Sequence, residues 1–163
     1  MATDAQRKHA VAVMDYMRSK SAQLDYPPGD QRTWRDYQDW NWNEQTLEHV
    51  LNGGGRWQGD CSDFSSFVLK LAGIWPARWG PGWTGSHLQL LPRYTDGKQA
   101  FPGALVVFGY PPGHHEAIVH TADPTKGDPL CASHGRPGFD LLRVSQIAVG
   151  QPPGITFLSI AHL

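Results

Sequence analysis

Cys61 stands in the run Gly59-Asp60-Cys61-Ser62-Asp63, immediately ahead of apolar residues at helical spacing. Asp60 is a good helix N-cap; Phe64, Phe67, Val68 and Leu71 follow at i, i+3, i+4 and i+7, and Gly73 closes the segment. A cysteine in the first turn of a helix lies in the field of unpaired N–H groups and of the helix dipole. Both favour the thiolate, which is the nucleophilic form. Asp60 and Asp63 work against this, because neighbouring carboxylates disfavour a further anion. The helix start is therefore not sufficient, and an imidazole partner is required. The plainer reading of Cys61 is a small buried hydrophobe, the usual state of a free cysteine. The polar step around it, set away from the apolar stripe, speaks against that reading.

Eight histidines could supply the imidazole. His9 and His49 fall in predicted helices, His87 near a helix cap and His162 at the end of the sequence. His114, His115 and His120 flank a predicted strand, and His134 ends the next one. A base at the mouth of one strand and an orienting residue on its neighbour make a Cys–His–polar constellation. His120 falls on the opposite face from His115 and reads as a surface residue. The competing chemistry is a zinc centre made of Cys61, His115, Cys131 and His134. It lacks close C-x-x-C spacing, and a cysteine at a helix start suits a nucleophile better, so the zinc reading is the weaker one.

The elements that must position these groups change character along the chain. Thr3 to Ser21 reads as a helix with a capping box at Thr3 and Gln6 and a stripe of Ala10, Val13, Met14 and Met17. Pro27-Pro28-Gly29 ends it, and Trp34 to Trp42 shows no clear period. A short helix over Glu44–Leu51, capped by Asn43, stops at Gly53-Gly54-Gly55. After the Cys61 helix comes a loop dense in Trp, Pro and Gly from Trp75 to Gly85, with Ser86 capping a brief helix through Leu91. From Phe101 onward the runs 104–108, 117–121, 130–134, 141–144 and 155–160 read as short strands separated by Pro and Gly. Helices first and strands afterwards predict one α+β domain over 1–163. Its helical half covers about 1–91 and its strand half about 101–163, with a mostly antiparallel sheet of about five strands.

Composition narrows the function classes. With 163 residues, 40% hydrophobic and 18% charged, the chain has enough apolar content for one sizeable core. A formal net charge of −1 offers no basic excess for phosphate contacts, so nucleic acid is not an expected partner. No apolar run is long enough to span a bilayer, and the N-terminus has no apolar stretch of signal-peptide type. The expectation is synthesis in the cytoplasm, where the two cysteines are weak grounds for a disulfide. The 7 tryptophans predict either an aromatic surface with a use or an aromatic-heavy core.

Three blocks, in order and at matching spacing, resemble the NlpC-type cell-wall peptidases and the related CHAP amidases. Asp60-Cys61-Ser62-Asp63-Phe64 is similar to their Asp-Cys-Ser-Gly-Phe signature. Pro102-Gly103-Ala104-Leu105-Val106-Val107-Phe108 is similar to their Pro-Gly-Asp-Leu-Val-Phe-Phe strand. His115-Glu116-Ala117-Ile118-Val119 is similar to the His-Val-Gly-Ile-Tyr or His-Val-Ala-Ile-Val strand that carries their catalytic histidine. Cys131-Ala132-Ser133-His134 stands where the family places its third catalytic residue. The likeness covers about Asn52 to His134, half of the chain. It implies a papain-like fold with Cys61 as nucleophile, His115 as base, His134 orienting the imidazole, and backbone N–H groups near Cys61 holding the oxyanion. Three features depart from the family. Asp63 replaces the usual Gly, the stem-peptide-recognising Tyr ahead of the Cys is absent, and His114 could replace His115 by a one-residue shift.

The resemblance thus implies a monomeric peptidoglycan hydrolase, of phage-lysin type or an exported interbacterial toxin, that cuts an amide of the stem peptide, between stem residues or at the sugar–peptide junction, with no metal or cofactor and without membrane insertion. Trp57, Asp60, Ser62, Trp83 and His114 are the candidate substrate contacts. The tryptophans of 75–83 with Trp57 either line a groove or cover the core. Two other functions remain open: an amidase or acyltransferase acting on a non-wall substrate, and a non-catalytic wall-binding module.

Overall fold

The structure is a computed structural model that describes residues 2–26, 38–76, 79–80, 82–136 and 138–160. The Pro27-Pro28-Gly29 stop, the first part of the Trp34–Trp42 segment and His162 lie outside these residues. The architecture is α+β. Among the described residues there are five α-helices and a five-stranded antiparallel sheet, with a two-stranded parallel pair beside it.

The first helix, α1 (Asp4–Ser19), has the expected capping box, with Thr3 and Gln6 bonding each other's backbone. It buries Ala10, Val13, Met14 and Met17. The second, α2 (Glu44–Asn52), is capped by the Asn43 side chain as its sequence predicts. The third, α3 (Cys61–Leu71), stops where Gly73 takes a φ of +70°, a conformation that side chains other than Gly resist. The residues ahead of α2 form a short 3-10 helix over Gln38–Asn41, and Lys70 of α3 donates to the carbonyls of Trp40 and Trp42.

The strand half is β3 (Leu105–Phe108), β4 (His115–Thr121), β5 (Leu130–Gly135), β6 (Gly138–Arg143) and β7 (Ile155–Leu158), in the order β6-β5-β4-β3-β7. All five expected strands are present, with ends displaced by up to three residues. Three short elements have no expected counterpart: the strands β1 (Leu24–Asp25) and β2 (Trp57–Gln58), which pair in parallel, and α5 (Val144–Ala148), which begins where the fourth strand was expected to end. The helix expected after Ser86 is α4 (Thr84–Leu90), which starts three residues earlier, with Trp83 at the cap position. Ser86 lies inside its first turn, where its hydroxyl accepts from the Trp83 N–H and donates to the Trp83 carbonyl.

The sheet register sorts side chains onto two faces. Leu105, Val107, Ile118, Ala132 and Leu158 face α1 and α3 and join Met14, Phe64, Phe67 and Val68 in one core. Val106, Phe108, Ala117, Val119 and Cys131 face the other way and pack with Val144 and Ile147 of α5. With both faces covered, β3 reads as a continuous apolar run rather than an alternating one. None of the described helices is long and apolar enough to cross a membrane.

Candidate active site

The start of α3 is more deeply seated than its polar sequence suggests. Cys61 is 3% exposed, and every residue from Cys61 to Leu69 is buried. The expectation that the polar step faces away from the core is corrected here, because each polar side chain has a local backbone or side-chain partner. Asp60 accepts from the N–H groups of Ser62 and Asp63 and from the Ser62 hydroxyl. Asp63 returns the favour by accepting from the Asp60 N–H at 2.9 Å. Ser65 and Ser66 donate back to the carbonyls of Cys61 and Ser62 one turn earlier. Asp63, which stands where the family has Gly, is thus the second half of a capping box.

The segment leading into α3 is fixed by a close approach. A Cβ on Gly59 would meet the Trp57 ring at 2.4 Å and the Asp63 Cβ at 3.0 Å, so only glycine fits without displacement. The Gly59 N–H donates to the Asp25 carbonyl, extending the β1–β2 pairing to within two residues of Cys61.

His115 opens β4 and is 8% exposed. Its ring stacks on Phe108, its cross-strand partner, with centroids 6.0 Å apart. Its Nε2 lies 2.9 Å from Ser133 Oγ on β5. Burial pushes the imidazole down to about 4; the charges of His114 and His134 add to the shift, and Asp60 opposes it. Asp60 also acts on His134. The first turn of α3 and the mouths of β4 and β5 therefore lie within electrostatic reach of one another.

His134 makes no hydrogen bond to His115. Because Ala117 pairs with Ser133, His134 falls on the α3 face together with Ile118, whereas His115 and Ser133 share the other face. His134 Nε2 donates to the carbonyls of Gly59, at 3.1 Å, and of Asp25, at 3.3 Å. Its ring is surrounded by those of Tyr26, Trp57 and Phe64. It is a clamp on the chain entering α3, and the side chain that bonds His115 is Ser133 instead. Ser133 stands inside the quoted block Cys131-Ala132-Ser133-His134, but the register that selects it depends on a β-bulge between Val119 and Thr121. His120 lies at that bulge and bonds Asp15 of α1 at 3.0 Å; it is largely covered rather than a surface residue.

The candidate substrate contacts divide. Trp57, at 2% exposed, belongs to the core, and Ser62 is fully buried with its hydroxyl on Asp60; neither side chain is open to a ligand. Asp60 is likewise buried as the cap. Trp83 is 38% exposed at the start of α4, and Trp79 is exposed as well, so part of the tryptophan loop is available as a surface. Trp75, at 3% exposed, covers the core. His114 is exposed and bonds Gln151 at 2.9 Å. The buried partner of Ser133 is His115, one residue on. Tyr110, the most exposed large aromatic of the β3–β4 turn, has no place among the sequence candidates.

Cys131 is fully buried, its thiol is pushed far upward by burial, and it donates to the Pro129 carbonyl at 3.7 Å. Neither cysteine is in a disulfide among the described residues. Cys131 points to the α5 face and His134 to the α3 face, so the four residues of the zinc alternative are not gathered. Among the described residues no group of three or more His, Cys, Asp or Glu side chains is placed to hold a metal ion. A cavity of about 310 Å³ lies along α1, lined by Asp4, Arg7, Lys8, Val11 and Pro102, and shares no residue with this site.

Two predictions follow from this geometry. Native His115 stays neutral down to about pH 4, whereas the unfolded chain protonates it near 6.5. Its contribution to stability is complete above pH 6.5 and is lost as the pH falls from there towards 4. The loss amounts to about 3 kcal/mol, at roughly 1.4 kcal/mol per pH unit. Burial lowers His134 in the same direction. Urea denaturation of the wild type and of His115→Gln across this range should give a shallower acid loss in the variant; parallel curves would refute it. If His115 acts as a base, Ser133→Ala should lower kcat about tenfold with KM little changed, because it releases the imidazole without touching a substrate. Steady-state kinetics on an amide substrate checks this, and an unchanged kcat would refute it.

No family model, curated protein or solved structure matches the chain.

Proposed function

We propose that the chain is a thiol hydrolase with a papain-like fold, with Cys61 as nucleophile and His115 as general base. It would cut an amide bond in the stem peptide of bacterial peptidoglycan in the manner of a phage lysin. The observation that carries the reading is the buried His115–Ser133 bond, 2.9 Å long, within electrostatic reach of the helix start that bears Cys61. If Ser133 accepts from Nε2–H, the neutral imidazole keeps its lone pair on Nδ1, the nitrogen that can take a thiol proton.

The chemistry is an acyl transfer in two stages. Cys61 Sγ attacks the amide carbonyl as its proton passes to His115 Nδ1. The tetrahedral adduct then collapses to a thioester, and the amine leaves with that proton. Water, deprotonated by the same imidazole, releases the acid and restores the thiol. Because the Ser62 and Asp63 N–H groups are committed to Asp60, they are not the oxyanion donors. Since His115 is neutral at pH 7, the thiol loses its proton during attack rather than in a resting ion pair.

The choice of peptidoglycan rests on the three-block resemblance and on the exposed Trp79 and Trp83, which offer flat apolar surface to sugar or peptide. The test is release of new amino groups from purified bacterial walls. The hydrolase reading expects steady release that stops after iodoacetamide treatment. Transfer of the acyl group to an added amine or lipid, with no net hydrolysis, would replace it with the acyltransferase reading. Wall binding that persists without any chemistry would replace it with the binding-module reading.

A further inference from the structure

The dyad of His87 and Glu116 takes no part in the chemistry above. Both side chains are fully buried, with His87 Nδ1 2.7 Å from Glu116 Oε2. Their remaining polar atoms, His87 Nε2 and Glu116 Oε1, are buried as well and have no hydrogen-bond partner among the described residues. Glu116 pairs with Val107 and projects to the face where Leu105 and Ile118 pack on α3. An apolar residue there would avoid the desolvation of a carboxylate, so packing alone does not account for the pair.

Its placement does. Glu116 follows His115 directly on β4 and leaves the strand on the opposite face, so whatever holds Glu116 also holds the peptide that carries the base. His87 lies within α4, and its other sides meet the tryptophan loop. The Trp75 ring approaches it edge-on at 4.8 Å, and a Cβ on Gly82 would fall 1.8 Å from its Nε2. Trp75 in turn meets Trp79 edge-on at 5.2 Å, and Gly82 leads directly into Trp83. One imidazole therefore joins the base-bearing strand to the two exposed tryptophans.

We infer that His87 and Glu116 are positioning residues for the reaction: Glu116 fixes the His115 end of β4 through its bond to His87, and His87 sets the Trp79–Trp83 lip against that strand. This rests on the hydrolase reading for its kinetic consequences, but the strand-anchoring half can also be read without a substrate.

Three variants separate the roles. His87→Leu with Glu116→Leu replaces the pair by apolar residues of similar size, a change that commonly leaves stability intact. Glu116→Gln keeps shape and acceptor. His87→Asn keeps a donor near the Nδ1 position but removes the ring that Trp75 and Gly82 contact. On peptidoglycan, the double variant should keep its urea midpoint yet lose at least about tenfold in kcat, and Glu116→Gln should stay within about threefold of the wild type. His87→Asn should hold kcat and raise KM about fivefold. Alkylation of Cys61 by iodoacetamide should slow about tenfold in the double variant and not in Glu116→Gln, whether or not walls prove to be the substrate. A folded double variant with wild-type alkylation and wild-type kinetics would overturn the inference. If the double variant does not fold, His87→Asn decides: unchanged KM, or equal losses in kcat and KM, would overturn it too. A wild type that alkylates as expected but releases nothing from walls would count against the hydrolase reading alone.

Discussion

Cys61→Ala abolishes amide hydrolysis on this account, lowering kcat by at least about 10⁴-fold while the protein stays folded. Alanine still packs at the first position of α3, and the cap that Asp60 and Asp63 build around the helix start does not use the sulfur bonds of a disulfide or metal. His115→Ala should cost nearly as much, and combining the two should cost little more, because nucleophile and base act as a unit. Cys131→Ala is the control. That thiol is buried and driven away from the thiolate, so its removal should leave kcat and KM unchanged. Kinetics on released amino groups, with circular dichroism to check folding, measures all four. Equal activity in Cys61→Ala would end the nucleophile assignment.

Trp57→Ala should lower the unfolding free energy by about 3–5 kcal/mol, the range for deleting a large aromatic from a packed core. Trp57 meets Phe64 edge-on at 6.1 Å, Phe67 at 5.7 Å and His134 at 5.6 Å, and its ring fills the space that Gly59 leaves open. Losing it leaves a cavity beneath the chain that enters α3, so the damage is to stability and to the seating of Cys61. Trp83→Ala should do the opposite: stability within about 0.5 kcal/mol of the wild type, as for exposed positions generally, and a higher KM. Urea midpoints and KM values for the two variants form a crossed pair. An unchanged midpoint in Trp57→Ala would contradict its place in the core.

The contrast between these tryptophans shows where the sequence is legible. Period and caps locate α1, α2 and α3 well, because Thr3, Asn43 and Asp60 satisfy helix N–H groups through contacts three residues long at most. The five strands are legible for the same reason, as short β-prone runs between Gly and Pro. What depends on distant partners is not legible. Trp57 is core because β2 pairs with β1, a two-residue contact without local signal. Ser133, not His134, meets His115 because of the β4–β5 register, which carries a single-residue bulge between Val119 and Thr121. The burial of Glu116 depends on His87, 29 positions earlier, being brought beside it. The proposed nucleophile and base, Cys61 and His115, are named by local pattern and resemblance; Ser133, the side chain that bonds His115, is not.

Mass spectrometry of purified peptidoglycan after incubation with the wild type and with Cys61→Ala tests the central claim most directly. Stem-peptide fragments released by the wild type alone, each carrying one added water at a single bond, are the predicted result. Release by both proteins, or by neither under reducing conditions and with walls from several bacterial types, would contradict it.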